Sequence, residues 1–339
     1  MDTGNTETPP DLAAALDAHP EAGATHRSLP PSHRREYLDW INEAKRLKTP
    51  GSQSWRREVA SGRGSKREIT IERPQGELYT HGYHEAIVST YAQRTAEECA
   101  AFLLPHLRAD AVVLDMGSGP GTITAGLARR AGRVIGLDAS EEMVEAGRRL
   151  AKDQGIGNAT FRLGSAYDLP WGSGYFDVVY AHQLLQHLAE PVRALREARR
   201  VLKPGGLVAV READYGTMVH SPTDPVLIRW RELYHQVTSA NGGEADAGRF
   251  LLSWVMRAGF ADPVVTTRTT TYATPDERIA WGGLWEVRVI ESDFAEHATR
   301  HGLATRAELV EISAAFRRWT GRPDAFWAFL HAEVLAVNP

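Results

Sequence analysis

The run Val112-Val113-Leu114-Asp115-Met116-Gly117-Ser118-Gly119-Pro120-Gly121-Thr122 passes from an apolar segment through an acid and three alternate glycines into a helix start. Val112 to Leu114 read as a buried strand. Gly117, Gly119 and Gly121 let the chain turn sharply and approach a ligand where Cβ atoms would intrude. Ile123, Leu127 and Ala131 recur at helical spacing as far as Gly132, read as a C-terminal stop, and Val134 to Leu137 form a second buried strand ending in Asp138. Together these make a βαβ unit.

Two ligand classes use such a unit, and the glycine order separates them. Dinucleotide folds carry G-x-G-x-x-G, which seats a pyrophosphate on the helix N-terminus. Here the order is G-x-G-x-G, with Asp115 just before it. An acid there repels a diphosphate but suits a ligand with an ammonium group and no phosphate. S-adenosylmethionine meets that description, and Asp138 is placed to accept hydrogen bonds from ribose hydroxyls.

From about Tyr79 to Pro339 the chain resembles the class I S-adenosylmethionine-dependent methyltransferases, particularly the small-molecule group related to ubiquinone and menaquinone biosynthesis enzymes. The matching blocks are LDMGSGPGTIT, VIGLDAS, GSAYDLPW, FDVVYAHQLLQHL and RVLKPGGLVAV. The resemblance implies an α/β fold: a doubly wound, seven-stranded, Rossmann-like sheet. It implies S-adenosylmethionine as cofactor, held by Asp115, Gly117, Ser118, Gly119, Asp138, Ala139 and Met143. Ser165 stands where the family usually places an acid for the adenine amino group. Either Ser165 with Ala166 and Tyr167 suffices there, or Asp168 substitutes. Segments ahead of the first strand close over the methionine end in such enzymes, which makes Tyr79, His81, His84 and Arg94 candidates.

Ligands of open parallel sheets sit beyond the carboxyl ends of the strands, so His182 and Gln183, after the fourth strand Phe176–Tyr180, should border the transferred methyl. A histidine of near-neutral pKa is the usual proton acceptor. The order of preference is His182, then His187, then His84. Glu212 and Asp214 would share a face if the fifth strand, Leu207 to Val210, continued past Arg211. They would then be solvated, or bind Arg211 or the N-terminal tyrosines and histidines.

The 339 residues are 42% hydrophobic and 24% charged, with a formal charge of -4, as expected of a soluble cytoplasmic protein rather than a general nucleic-acid binder. No apolar run reaches the roughly 18 residues of a membrane span, and no basic-then-apolar leader opens the sequence. The single cysteine, Cys99, excludes an internal disulfide or a cysteine-based zinc site. No metal is implied. No D-P-P-Y or N-P-P-Y run occurs, and no Pro-Cys nucleophile, so DNA is not the expected acceptor.

Residues 1–72 read as a helical extension and linker, with helices over Asp11–Ala18 and after Ser32. PSHRREYLDWINEAKR resembles the terminal helices of the YdeI/OmpD-associated family. Between Arg27 and Arg73 stand 12 Lys and Arg against 6 Asp and Glu, which keeps open a protein or RNA methyltransferase that docks through this stripe. A cofactor-binding protein without turnover is the other alternative. Residues 73–339 form the methyltransferase domain, with a cofactor half at 95–215 and a substrate half at 216–339. Capping boxes at Thr274–Glu277 and Thr305–Glu308 start helices between the last two strands, where Trp281, Trp285 and Phe294 read as a lid over a small, partly apolar acceptor.

Overall fold

The computed structural model describes residues 74, 76–80 and 94–339. These belong to a single unit, Ile71–Pro339. The expected helices of the first 72 residues, and His81, Tyr83 and His84, lie outside the described residues.

Seven strands form one sheet in the order β3-β2-β1-β4-β5-β7-β6. They are β1 Val112–Met116, β2 Arg133–Asp138, β3 Ala159–Leu163, β4 Phe176–His182, β5 Leu202–Ser221, β6 Ala261–Tyr272 and β7 Phe326–Val337. β1 runs parallel to both neighbours, pairing Leu114 with Ile135 and with Val179. β7 is antiparallel to β5 and β6. The central strands β1 and β4 are buried on both faces, and because successive side chains point opposite ways the sheet feeds two cores, whereas the edge strand β6 is largely exposed. Val113, Val178, Tyr180 and Ala209 join one core with Ile123 and Leu127. Leu114, Val179, Ala181 and Val208 join the other, with Leu195, Leu251 and Val255.

The covering helices are α1 Thr122–Ala128, α2 Glu141–Asp153, α3 Pro191–Val201, α4 Pro225–Ala240 and α5 Ala247–Arg257. Ser140 caps α2 through the Met143 N–H, as its sequence position leads one to expect. α1 stops at Ala128, short of Gly132. Gly132 is not a left-handed stop; a Cβ there would come within 3.0 Å of the Asp110 backbone, so close approach explains the glycine. Thr95 caps a four-residue helix, Ala96–Cys99. Pro105 cannot donate to a continuing helix and instead sits in the 3-10 turn Leu104–His106.

β5 is twenty residues long and extends well past Val210. Pro204-Gly205-Gly206 lies within it, at a register shift against β4, with Gly205 left-handed at φ 75°. β5 continues past 215, with an irregularity in its pairing to β7 between Asp214 and Val219. Between β6 and β7 come a turn of helix Pro275–Arg278, a π-helical turn Ile279–Gly283, α6 Leu284–Glu291, α7 Asp293–Arg300 and α8 Arg306–Thr320. Their apolar faces, with α4 and β7, enclose a third core around Trp230, Trp285, Phe294 and Phe316. Trp230 and Trp285 meet edge to face at 4.5 Å, a geometry worth about 0.5–1.5 kcal/mol beyond area burial.

Candidate functional site: a cofactor cradle opening into an aromatic chamber

A cavity of about 680 Å³ lies at the carboxyl ends of β1, β2 and β4. Gly117, Gly119 and Gly121 are all left-handed, at φ 79°, 53° and 84°. A Cβ on Gly121 would lie 2.5 Å from the Phe161 ring, and one on Gly117 would lie 2.9 Å from Leu184. The turn is anchored by Gly117 and Ser118 N–H groups donating to the Leu137 carbonyl at 2.8 and 3.0 Å. Asp138 accepts from the Gly119 N–H at 2.8 Å and the Ser140 N–H at 3.0 Å. Its carboxylate thereby ties the glycine turn to the end of β2 while remaining part-exposed in the cavity.

Asp115 is 2% exposed and accepts the Thr124 hydroxyl at 2.6 Å. Burial raises its carboxyl to about 7, opposed by that hydrogen bond and helped by nearby Asp138. Ala139, Met143, Ser165, Ala166 and Tyr167 line the same cavity. The Tyr167 N–H donates to Ser165 Oγ at 3.2 Å, and the Tyr167 hydroxyl donates to Glu77, which also accepts from the Ala189 N–H at 2.8 Å. Asp168 is exposed and does not line the cavity.

At the end of β4, Gln183 adopts φ 50°, rare for a residue with a Cβ. Its Oε1 accepts from Arg94 at 2.5 Å and its Nε2 lies 2.9 Å from His331 Nε2. With Gln183 donating, His331 Nε2 accepts, so Nδ1 carries the hydrogen toward Thr270 Oγ1 at 3.2 Å. The turn is braced from beneath by Glu212, wholly buried, whose Oε1 accepts the Leu184 and Leu185 N–H groups at 2.9 and 2.7 Å. Desolvation raises its carboxyl to about 8 against those donors. Asp214 pairs instead with Arg249 at 2.6 Å. Neither acid is solvated or bound to Arg211, which pairs with Glu333 at 3.3 Å.

His182 and His187 both line the cavity, but neither has the near-neutral pKa expected of it. Burial first, then Arg94 and Arg211, holds His182 well below its ordinary value. Burial, Arg288 and Arg94 press His187 down to about 3. Both imidazoles are neutral at pH 7. His182 Nδ1 is buried with no hydrogen-bond partner among the described residues. Tyr79 packs edge-on against His187 at 4.8 Å.

The far wall was only partly foreseen. Trp281 lines it, stacked on Tyr272 at 4.9 Å and tilted on Phe329 at 5.2 Å. Trp285 and Phe294 do not line it; they belong to the core behind. Arg288 and His331 do line it and were missed. A lone histidine in the apolar strand FWAFLHAEVLAV was a readable signal for His331. Arg288 had none, since only the π-helical turn decides which face of α6 meets the cavity.

The strand order, the reversed last strand, the glycine turn after β1 and the acid closing β2 define the class I S-adenosylmethionine-binding architecture. Residues 114–210 match the family described as "Methyltransferase domain". Residues 5–49 match "Bacteriocin-protection, YdeI or OmpD-Associated". The uncharacterized methyltransferase C1B3.06c of Schizosaccharomyces pombe is 32% identical over 267 residues, covering 74% of this chain and 92% of that protein. The probable methyltransferase ltbC of Aspergillus luteorubrus is 30% identical over 275 residues, covering 76% and 96%. The solved YcgJ protein of Bacillus subtilis is 22% identical, covers 70% of this chain and 98% of its own, and gives a TM-score of 0.47. The chain belongs to the S-adenosylmethionine-dependent methyltransferase family.

Proposed function

We propose that the protein transfers a methyl group from S-adenosylmethionine to a small, partly apolar acceptor. The observation that carries this reading is one continuous cavity, with the glycine turn and Asp138 at one end and Tyr272, Trp281 and Phe329 at the other. Its volume falls within the roughly 300–1,000 Å³ typical of small-molecule sites.

The residues present fit the cofactor. Gly119 has open space where a Cβ would stand, Ser118 Oγ is without a hydrogen-bond partner among the described residues, and Asp138 is an acceptor at a strand end. In this reading Asp138 holds the ribose, the turn from Gly117 to Gly119 supports the amino-acid portion, and Ser165, Ala166 and Tyr167 flank the adenine. Asp115, poised near neutrality, ionises fully beside an ammonium group. Arg94 reaches the same region through Gln183, and Ala139 and Met143 complete the floor. When bound, the cofactor supplies an electrophilic methyl. The chain's tasks are then to align the acceptor in line and to exclude water.

His182 is held neutral, so its task here is to accept a hydrogen bond and orient the acceptor rather than to store a proton. His187 braces Tyr79, and His84 keeps its candidacy from sequence alone. Residues 275–322 set acceptor identity, and residues 1–72 are separable from cofactor binding. The test is incubation with methyl-tritiated S-adenosylmethionine and a fractionated cell extract. Label should enter the fraction below about 1 kDa, the size class that fits such a cavity. Label in RNA or protein alone would overturn the small-molecule reading.

A further inference from the structure

Arg288 lies on α6, is 5% exposed and lines the acceptor end of the cavity. Its guanidinium sits 4.6 Å over the Trp285 ring. Among the described residues no carboxylate pairs with it, and its Nε is buried without a hydrogen-bond partner. The other cavity arginines differ. Arg94 donates to Gln183, Arg211 pairs with Glu333, and the exposed Arg268 donates to the Glu98 carbonyl at 3.4 Å. Glu277, the acid on the same wall, is engaged by the Ala273 and Thr274 N–H groups at 2.9 Å each. Seven residues before Arg288, the Trp281 indole N–H is likewise buried, lines the cavity and has no partner among the described residues.

Burying a charge without a counter-charge opposes folding. An indole N–H donates and never accepts, and a guanidinium does the same. The wall therefore offers two donors, one of them cationic, beside the aromatic faces of Tyr272 and Phe329. An acceptor group with negative charge and two oxygens matches a guanidinium fork. The Arg288 guanidinium balances one negative charge, which favours a carboxylate over a phosphate monoester, close to doubly charged at neutral pH.

We propose that Arg288, on the same cavity wall as the Trp281 N–H, binds a carboxylate on the methyl acceptor, whose apolar body lies along Tyr272 and Phe329. The assignment deepens the small-acceptor reading and rests on it. The competing possibility is that the guanidinium serves the carboxylate of the cofactor itself, and the experiment separates the two.

The full chain, loaded with S-adenosylhomocysteine, is titrated calorimetrically with benzoate, 2-naphthoate and decanoate, with their matched amides, and with inorganic phosphate. At least one carboxylate should bind tenfold or more tightly than its amide, on the order expected of a charge-assisted hydrogen bond. Arg288→Gln should bring the pair to near-equal affinity while S-adenosylhomocysteine binding stays within about twofold, well inside a tenfold, 1.4 kcal/mol step. Arg288→Lys, which keeps the charge and loses the fork, should retain part of the preference.

No carboxylate preferred over its amide in the wild type overturns the proposal, whether or not the variants fold. So does binding of phosphate in place of every carboxylate. A tenfold loss of S-adenosylhomocysteine affinity in Arg288→Gln assigns the guanidinium to the cofactor and also overturns it. Failure of the wild type to bind S-adenosylhomocysteine strikes the cofactor reading itself.

Discussion

Replacing Glu212 with Gln should make the protein more stable at alkaline pH and change the shape of its pH–stability curve. Glu212 is wholly buried, and its carboxyl is raised from the ordinary 4.5 to about 8, chiefly by desolvation. The folded protein then retains a proton that the unfolded chain has released. This contribution to stability is fully present below pH 4.5 and is lost as pH rises through 8. At about 1.36 kcal/mol per pH unit, the full span corresponds to roughly 5 kcal/mol, an upper figure that local relaxation reduces. In Glu212→Gln the side-chain amide would offer the same Oε1 to the Leu184 and Leu185 N–H groups with no proton to lose. Urea unfolding of both proteins from pH 5 to pH 9 gives the measurement. The variant should gain on the wild type by at least ~1 kcal/mol between the two ends, with most of the change below pH 8. A constant difference across the range would show that the carboxylate is ionised when folded, held by its two backbone donors, and would refute the reasoning.

Other outcomes follow from the same geometry. His182 and His187 are depressed by burial, so their contribution is present above their ordinary value of 6.5 and is lost as pH falls below it; wild-type stability should peak near pH 6–7 in unfolding titrations. Trp285→Ala should lower stability by about 3–5 kcal/mol, the usual range for an aromatic core truncation, measured by chemical unfolding. Trp281→Ala should instead reduce acceptor turnover while leaving S-adenosylhomocysteine affinity in place, and equal losses in both would remove Trp281 from the acceptor wall. Gly121→Ala forces a left-handed φ on a residue whose Cβ meets the Phe161 ring, and should cost at least ~1 kcal/mol with weakened cofactor binding by calorimetry. A truncated protein starting at Glu72 should melt cooperatively and rise in Tm with cofactor; a protein blind to cofactor would show that cofactor binding needs residues 1–71.

The glycine turn after β1 was legible because its chemistry is local. Acid, glycines and strand lie within eleven residues, and their spacing fixes the backbone. The reach of β5 was harder to read, since Pro204-Gly205-Gly206 carries a turn signature that the sheet absorbs as an irregularity. Glu212 and Asp214 were seen as alternate acids, yet their partners lie on the β4 turn and on α5, and no periodicity reports such pairings. The tryptophans of the lid were visible as a cluster, but Trp281 faces the cavity while Trp285 faces the core. Trp281 lies within the π-helical turn and Trp285 just after it, and the turn's extra residue shifts every later side chain around the axis. The depressed histidine pKa was not legible for a related reason: residue type gives the ordinary value, while burial and arginines brought in by the fold lower it.

The most direct measurement is calorimetric titration of S-adenosylmethionine into the wild type and Asp138→Ala. One site per chain is expected. Losing a charged acceptor for the ribose hydroxyls should weaken it by roughly 1–3 kcal/mol, about five- to 150-fold, with the variant still folding cooperatively. Unchanged affinity in a folded Asp138→Ala variant, or tight binding of NAD in place of S-adenosylmethionine, would contradict the assignment of this cavity.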